Sequence, residues 1–272
     1  MVKTRLIPIV LLRNGVVVQS KRFARYQLVG NPTTIVRRLS DWAADEIIYL
    51  DISRDQMYDR WRRDLKSPVR TTVIQILEDV AQTCFMPLTF GGGIRSLEDI
   101  RFRIRAGADK VTINTKAIEE PDFVRQAAEE FGSQCIVVSI DARRASDDSW
   151  EVFKQGGQVS TNRIPSEWAA EVEQQGAGEI LINSIDKDGT GEGYDLELIR
   201  SVADAVGIPV IACGGVGKWI HLVEGCISGG ASAVAAANIF HYTENSLYEA
   251  KRHLFEAGVK VRRPILGFEG PR

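Results

Sequence analysis

Short apolar runs rich in valine and isoleucine alternate along the chain with longer segments whose apolar positions recur at helical spacing. The runs are LIPIVLL from Leu6, EIIYLDI from Glu46, MPLTF from Met86, KVTIN from Lys110, CIVVSID from Cys135, EILINSI from Glu179, IPVIACGG from Ile208 and AVAAANI from Ala233. Helical segments follow at 32–42, 70–83, 96–106, 121–130, 165–175, 195–206, 219–228 and 245–256. Strands that stay apolar without alternation belong to a parallel sheet covered on both faces. Eight strand-plus-helix units in this length predict an α/β chain folded as a single (β/α)8 TIM barrel over residues 1–260.

The pattern also repeats. PLTFGGGIRSLEDI from Pro87 aligns with PVIACGGVGKWIHL from Pro209, and ADEIIYLDI from Ala44 aligns with AGEILINSI from Ala177. The barrel is therefore expected to be two related halves of four units. On that repeat the first strand, RLIPIVLLRNG, matches the fifth, CIVVSIDARRA, and Leu11 falls where the other half carries Asp141.

Two segments stand outside the pattern. RDQMYDRWRRDLKSPVR, 54–70, is longer than an ordinary strand-to-helix connection and mixes six basic residues with Met57, Tyr58 and Trp61. It reads either as a solvated loop or as a cap over substrate or a partner contact at the C-terminal barrel face. The tail, 261–272, has no period and is expected to be loose.

Composition narrows the function classes. With 272 residues, a net charge of -2 and no block of like charges, the chain has no electrostatic grip for nucleic acid. No apolar run reaches the length of a membrane span, and the N-terminus lacks a signal-peptide pattern, so a cytoplasmic protein is expected. Cys84, Cys135, Cys213 and Cys226 form no C-x-x-C pair and read as buried free thiols. His221, His241 and His253 have no metal-ligand spacing. Neither a metal nor a cofactor is expected.

Glycines cluster after the third strand, at Gly91, Gly92 and Gly93, and after the seventh, at Gly214 and Gly215. The turn after the sixth strand reads DKDGTGEG, with Asp188, Gly189 and Thr190. Such turns bring backbone N–H groups close to phosphate oxygens, although a tight turn alone also explains a glycine pair. The fourth and eighth strands end in Asn114-Thr115 and Ala237-Asn238, small or polar residues that can complete each cradle. Two matched cradles across one mouth imply a phosphorylated small molecule with a phosphate at both ends.

Between the cradles, Asp141 at the end of the fifth strand has the position of a proton-transfer group. Leu11, Asp51 and Asn183, also at strand ends, are candidates to line the substrate cavity. Asp51 reads equally as a turn-forming aspartate. At the opposite end, Arg5, Glu46, Lys110 and Glu179 stand at strand starts and alternate in sign, as a layer of ion pairs or as a gate.

LTFGGGIRS, GADKVTINT, FGSQCIVVSIDA, GAGEILINSIDKDGTGEGYD and ACGGVGK together resemble the HisF family, the cyclase subunit of imidazole glycerol phosphate synthase, over residues 3 to 260. The resemblance implies a glutaminase partner on the N-terminal barrel face and ammonia passing up the barrel interior. It implies a gate at Arg5, Glu46, Lys110 and Glu179. Phosphate would be held at Gly93, Asn114 and Thr115 on one side, and at Asp188, Gly189, Gly214, Gly215, Ala237 and Asn238 on the other. Asp141 matches one of the family's two catalytic carboxylates.

The second carboxylate is missing. Cyclases read approximately R-I-I-P-C-L-D-V-K-D-G in the first strand, where this chain has Leu11, and the lysine usual in the next loop is Gln19. Leucine cannot transfer a proton, and loss of such a group costs about a hundredfold to ten-thousandfold in rate. A branch of HisF-like proteins encoded with surface-polysaccharide genes carries leucines in this strand. Its resemblance implies an ammonia-supplying subunit of a glutamine-dependent amidotransferase, working with a HisH-like glutaminase and a separate sugar amidotransferase in acetamidino modification. The alternatives are a true cyclase of histidine biosynthesis and a non-catalytic scaffold that binds phosphate ligands.

Overall fold

The computed structural model of the chain describes residues 3–42, 44–53, 58, 70–146, 149–241 and 246–264. The first half comprises β1 (Arg5–Arg13), β2 (Val16–Lys21), β3 (Arg25–Gly30), α1 (Pro32–Asp41), β4 (Ile47–Asp51), α2 (Val73–Ala81), β5 (Leu88–Gly91), α3 (Leu97–Arg105), β6 (Lys110–Ile113), α4 (Thr115–Glu119) and α5 (Asp122–Phe131). The second comprises β7 (Ile136–Ser146), β8 (Ser149–Lys154), β9 (Val159–Ser160), α6 (Pro165–Gln174), β10 (Glu179–Ser184), α7 (Leu196–Ala203), β11 (Val210–Cys213), α8 (Trp219–Ile227), β12 (Ala233–Ala236) and α9 (Ser246–Glu256).

Eight of the strands pair in parallel in the order β1-β4-β5-β6-β7-β10-β11-β12, and β12 returns to β1. The ring is closed, so the predicted (β/α)8 barrel is the fold. Closure explains why the strands tolerate apolar residues on both faces. One set, including Ile7, Ile9, Ile48, Val137, Leu181, Ile211, Ala233 and Ala235, fills the barrel interior. The alternate set, including Leu6, Val10, Ile47, Tyr49, Phe90, Val138 and Ile182, packs outward against the helices. Burying both sets supplies the main stabilisation, at roughly 1.5–3 kcal/mol per large apolar side chain.

Local chemistry sets the helix starts. Asn31 accepts from the Thr33 N–H at 2.9 Å, with Pro32 in the first turn of α1. Ser96 and Asp99 form a reciprocal capping box at α3. Among the described residues no helix is long and apolar enough to cross a membrane. The four cysteines are free, but each is only partly buried rather than enclosed as the sequence suggests. Val261, placed in the loose tail by its sequence, is buried and bridges Thr4 in parallel. The rest of the tail beyond residue 264, and most of the 54–70 segment, lie outside the described residues.

Two features go beyond the eight repeated units. β1 continues through Asn14 and Gly15, both at positive φ, into the antiparallel pair β2–β3. β7 likewise continues into β8 and β9 through antiparallel pairing. These arms arise from the first and fifth barrel strands, at matching places in the two halves. The repeat holds in register too: β4 pairs Tyr49 with Phe90 and Leu50 with Gly91, while β10 pairs Ile182 with Ala212 and Asn183 with Cys213.

Candidate functional site

The N-terminal end of the barrel carries a closed ring of charge. Arg5 begins β1, Glu46 immediately precedes β4, Lys110 begins β6 and Glu179 begins β10. Arg5 donates to Glu46 at 2.6 Å and to Glu179 at 3.1 Å. Lys110 Nζ donates to Glu46 at 3.2 Å and to Glu179 at 2.9 Å. Cations and anions thus alternate, and the Thr89 hydroxyl adds a bond to Glu46 at 2.9 Å.

Glu46 is 2% exposed, so it is tolerable as a charge only because it accepts from three donors. Burial works against the Arg5 guanidinium, but Glu179 and Glu46 outweigh it and raise its pKa. The ring sits directly beneath the apolar interior formed by Ile7, Ile48, Val137 and Leu181. All four residues expected to stand together therefore do so.

The C-terminal mouth is built from the other ends of the same strands. Asp141 of β7 and Asn183 of β10 are in register and nearly buried. Asn114 Nδ2 donates to the Ser139 carbonyl at 3.1 Å and to Asp141 Oδ2 at 3.3 Å. Burial pushes the Asp141 carboxyl up to about 7; hydrogen bonds from Asn183 and Ser139 oppose the rise and the charge of Asp188 adds to it. Such a carboxyl changes protonation near neutrality and can give or take a proton. The same apolar environment pushes the neighbouring Cys213 thiol far above its usual range, so it stays protonated.

Of the two readings of Asp51, lining the cavity or forming a turn, the structure shows the turn. Strand alternation gives the inward position to Leu50, which packs on the barrel interior. Asp51 instead accepts from the Ser53 N–H and hydroxyl and from the Tyr58 hydroxyl at 3.0 Å. Burial raises its pKa against those hydrogen bonds. The charged neighbour that acts on Asp141 is Asp188.

The residues assigned to the two phosphate cradles stand in the turns at the C-terminal ends of β5, β6, β10, β11 and β12, and several of them hold the arms. Gly92 and Gly214 occupy matching turns at φ +98 and +96; a Cβ on Gly92 would lie 2.0 Å from the Asp51 carbonyl oxygen, and one on Gly214 2.8 Å from that of Ser184. Close backbone approach alone therefore requires glycine at both. Gly93 and Gly215 follow, also at positive φ. Thr115 Oγ1 accepts from the Gln155 N–H at 3.0 Å, in the turn of the second arm. Its counterpart Asn238 donates to the Ser20 carbonyl at 2.9 Å, in the first arm.

Asp188 accepts from the Ser20 hydroxyl at 2.6 Å and the Phe23 N–H at 3.1 Å. Gly189 passes so close to the Ser20 carbonyl that a Cβ would lie 2.2 Å from it. Thr190 closes its own turn by donating to the Lys187 carbonyl at 2.9 Å, and Ala237 packs at the rim of the interior.

Three participants were not anticipated from the sequence. Ser20 and Phe23 dock the first arm on the Asp188 turn, and Phe23 also lies against Gly157 of the second arm. The Asn-Gly pair at 14–15 between alternating residues is a hairpin signal that could have revealed this arm. Arg103, nearly buried on α3, donates to the Gly92 carbonyl at 2.6 Å and so holds the glycine turn from behind. Nothing in its helical spacing distinguishes it from a solvated arginine. Among the described residues no group of three His, Cys, Asp or Glu side chains could hold a metal.

A closed barrel of two half-barrel repeats, with a carboxylate at the C-terminal mouth and glycine turns around it, defines the class: an α/β TIM barrel whose chemistry sits at the strand ends. Over residues 5–246 the chain matches the family described as "Histidine biosynthesis protein", and it belongs to that family. Members of this family are mostly enzymes of histidine biosynthesis.

Proposed function

We propose that this chain is a HisF-like, ammonia-channelling subunit of a glutamine-dependent amidotransferase that serves acetamidino modification of a nucleotide-linked or surface sugar. The observation that carries the reading is the complete Arg5–Glu46–Lys110–Glu179 ring at one end of a strand whose other end has Leu11 in place of a carboxylate. Supplying ammonia needs an inlet and an apolar conduit; it does not need two carboxylates at the mouth. A HisH-like glutaminase is the partner assigned to the N-terminal face, with a separate sugar amidotransferase downstream.

Exposed apolar side chains at that face support docking. Helices run back against the strands, so their C-terminal ends surround the charged ring. Phe85 after α2 is 90% exposed, Ile227 ends α8 and Phe255 lies in the last turn of α9, both largely exposed. Large exposed aromatic and aliphatic groups of this kind are typical anchors of protein interfaces.

The test is co-expression with HisH-like glutaminases, followed by copurification and glutamine hydrolysis. The reading expects a complex in which hydrolysis rises, and in which Glu46→Gln lowers delivery of ammonia to an acceptor. Failure of every such glutaminase to bind removes it.

Family membership favours a second reading, the cyclase of imidazole glycerol phosphate synthase in histidine biosynthesis. That reading requires purified chain plus ammonia to turn over the ribonucleotide substrate at an ordinary rate. Our reading expects almost no turnover, with partial recovery in Leu11→Asp.

A further inference from the structure

The two arms arise at matching places in the repeat, yet they differ in charge balance. Residues 3–40 contain no aspartate or glutamate. The first arm therefore carries Arg13, Lys21, Arg22 and Arg25 without a carboxylate of its own, and each is exposed with no ion-pair partner among the described residues. In the second arm and the segment leaving it, Arg144 pairs with Asp195 and Glu197, Lys154 with Glu119 and Arg163 with Glu171. Arg143 there donates to the Gly157 carbonyl at 3.2 Å.

The hairpin register aims the unpaired charge away from the barrel. β2 and β3 pair Gln19 with Gln27, Ser20 with Tyr26 and Lys21 with Arg25. Successive residues of a strand face opposite sides, and Ser20 faces the barrel, where its hydroxyl donates to Asp188. Gln19, Gln27, Lys21 and Arg25 thus make the outer face. Gln19 donates to Gln27 across it at 2.7 Å. Lys21 and Arg25 oppose one another as like charges, which destabilises a strand pair and which a docked anionic group relieves.

The surroundings of this face select the kind of partner. Phe23 lies against Gly157 of the second arm, two residues before Val159, and Val159 and Ile164 are 37% and 49% exposed. Cations beside exposed apolar side chains have the mixed character of a protein interface. A bilayer or a nucleic acid calls for a denser basic cluster, and the net charge of -2 favours neither.

We propose that the outer face of the first arm docks the acidic surface of the acceptor enzyme that uses the ammonia leaving the barrel. The proposal rests on the amidotransferase reading: ammonia released into neutral water takes up a proton and stops being a nucleophile, so its acceptor must sit on this mouth.

The experiment immobilises the full-length chain and measures association of purified sugar amidotransferases at about 50 mM and about 300 mM salt. Lys21→Glu/Arg25→Glu is expected to slow association at least about tenfold at the lower salt, with the gap narrowing at the higher. Arg125→Glu, on α5, should leave association unchanged. Lys21→Glu alone turns the like-charge pair into an opposite-charge one, so amide exchange of residues 16–30 should stay the same or slow while docking weakens. A purely structural role for Lys21 does not produce that combination. Absence of amidotransferase binding, equal binding by Lys21→Glu/Arg25→Glu, displacement by inorganic pyrophosphate, or tighter binding to vesicles of phosphatidylserine and phosphatidylcholine in equal parts overturns the proposal. Glutamine-dependent product formation tests the underlying reading separately. Product formed at the same rate by the double variant removes the docking and keeps the reading, whereas docking without any such product removes the reading and keeps the docking.

Discussion

Leu11 and Asp141 occupy matching rungs of diametrically opposite strands: Leu11 is paired with Leu50 across β1 and β4, and Asp141 with Asn183 across β7 and β10. The two halves keep one backbone register while their side chains differ in polarity. Leu11→Asp would place a second carboxyl in the apolar half, where desolvation disfavours its charged form. The variant is expected to lose melting temperature relative to the parent at pH 8 and to recover most of that loss at pH 4. Leu11→Asn, which does not titrate, should show the same deficit at both. Thermal melts at the two pH values distinguish them.

Asp141 itself makes stability depend on pH in a definite direction. Its folded pKa of about 7 lies above the ordinary carboxylate value, so between those values the folded state holds a proton that the unfolded state has released. Stability from this group is therefore fully present at low pH and is lost as pH rises through 7. Asp141→Asn mimics the protonated form without titrating. Its melting temperature should match the parent near pH 3, below the unfolded value, and exceed it at pH 8; a gap that is constant with pH would contradict the raised pKa.

At the other end, Glu46 is the member of the charged ring that can least be spared. It is the most buried of the four and accepts from Arg5, Lys110 and Thr89. Glu46→Gln leaves the neighbouring cations facing only Glu179, and breaking a buried charge pair on one side costs on the order of 3 kcal/mol. Denaturant unfolding should show this loss. Glu98→Gln, at a solvent-exposed helix pair with Arg101, should change stability by less than about 1 kcal/mol.

The order of strands and helices was readable because a closed parallel sheet leaves uninterrupted apolar runs, and the ring Arg5–Glu46–Lys110–Glu179 was readable because all four stand at strand starts. The direction of Asp51 was not. A single step of strand alternation decides whether Leu50 or Asp51 faces the interior, and the hydrophobic run around them does not settle it. The arms were hidden for a different reason: Val16–Lys21 and Ser149–Lys154 are short strands outside the repeating strand–helix rhythm. Their docking on Asp188 and Thr115 joins residues far apart in sequence, so those two residues could be read as ligand-binding but not as anchors.

The glycines of the mouth differ in what they require. Gly92 combines φ +98 with a would-be Cβ 2.0 Å from the Asp51 carbonyl oxygen, whereas Gly156, at φ +66, has nothing within 4 Å. Gly156→Ala bears only the left-handed backbone penalty, about 1 kcal/mol. Gly92→Ala must also displace the end of β4, and it should lower stability by a much larger amount. Parallel melts of the two variants separate conformational preference from close approach.

The Asp188 carboxylate holds the first arm across the mouth together with a backbone bond from the Arg22 N–H to the Asp188 carbonyl at 2.9 Å. Asp188 accepts from both the Ser20 hydroxyl and the Phe23 N–H, while Asn238 donates to the Ser20 carbonyl. Asp188→Ala removes two charge-assisted bonds, each worth about 1.5–3 kcal/mol, though solvent at the tip recovers part of that. A net loss of about 2 kcal/mol in local opening free energy corresponds to roughly thirtyfold faster amide exchange. That acceleration should be confined to the arm, residues 16–30, with the barrel strands unchanged. Ser20→Ala removes one bond and should produce a smaller effect in the same segment. Hydrogen exchange read by mass spectrometry resolves the arm from β1. Unchanged exchange in both variants would mean that the arm is held by its own β2–β3 pairing, by the Arg22 and Asn238 bonds to backbone carbonyls and by Phe23 against Gly157, with the Asp188 carboxylate a bystander.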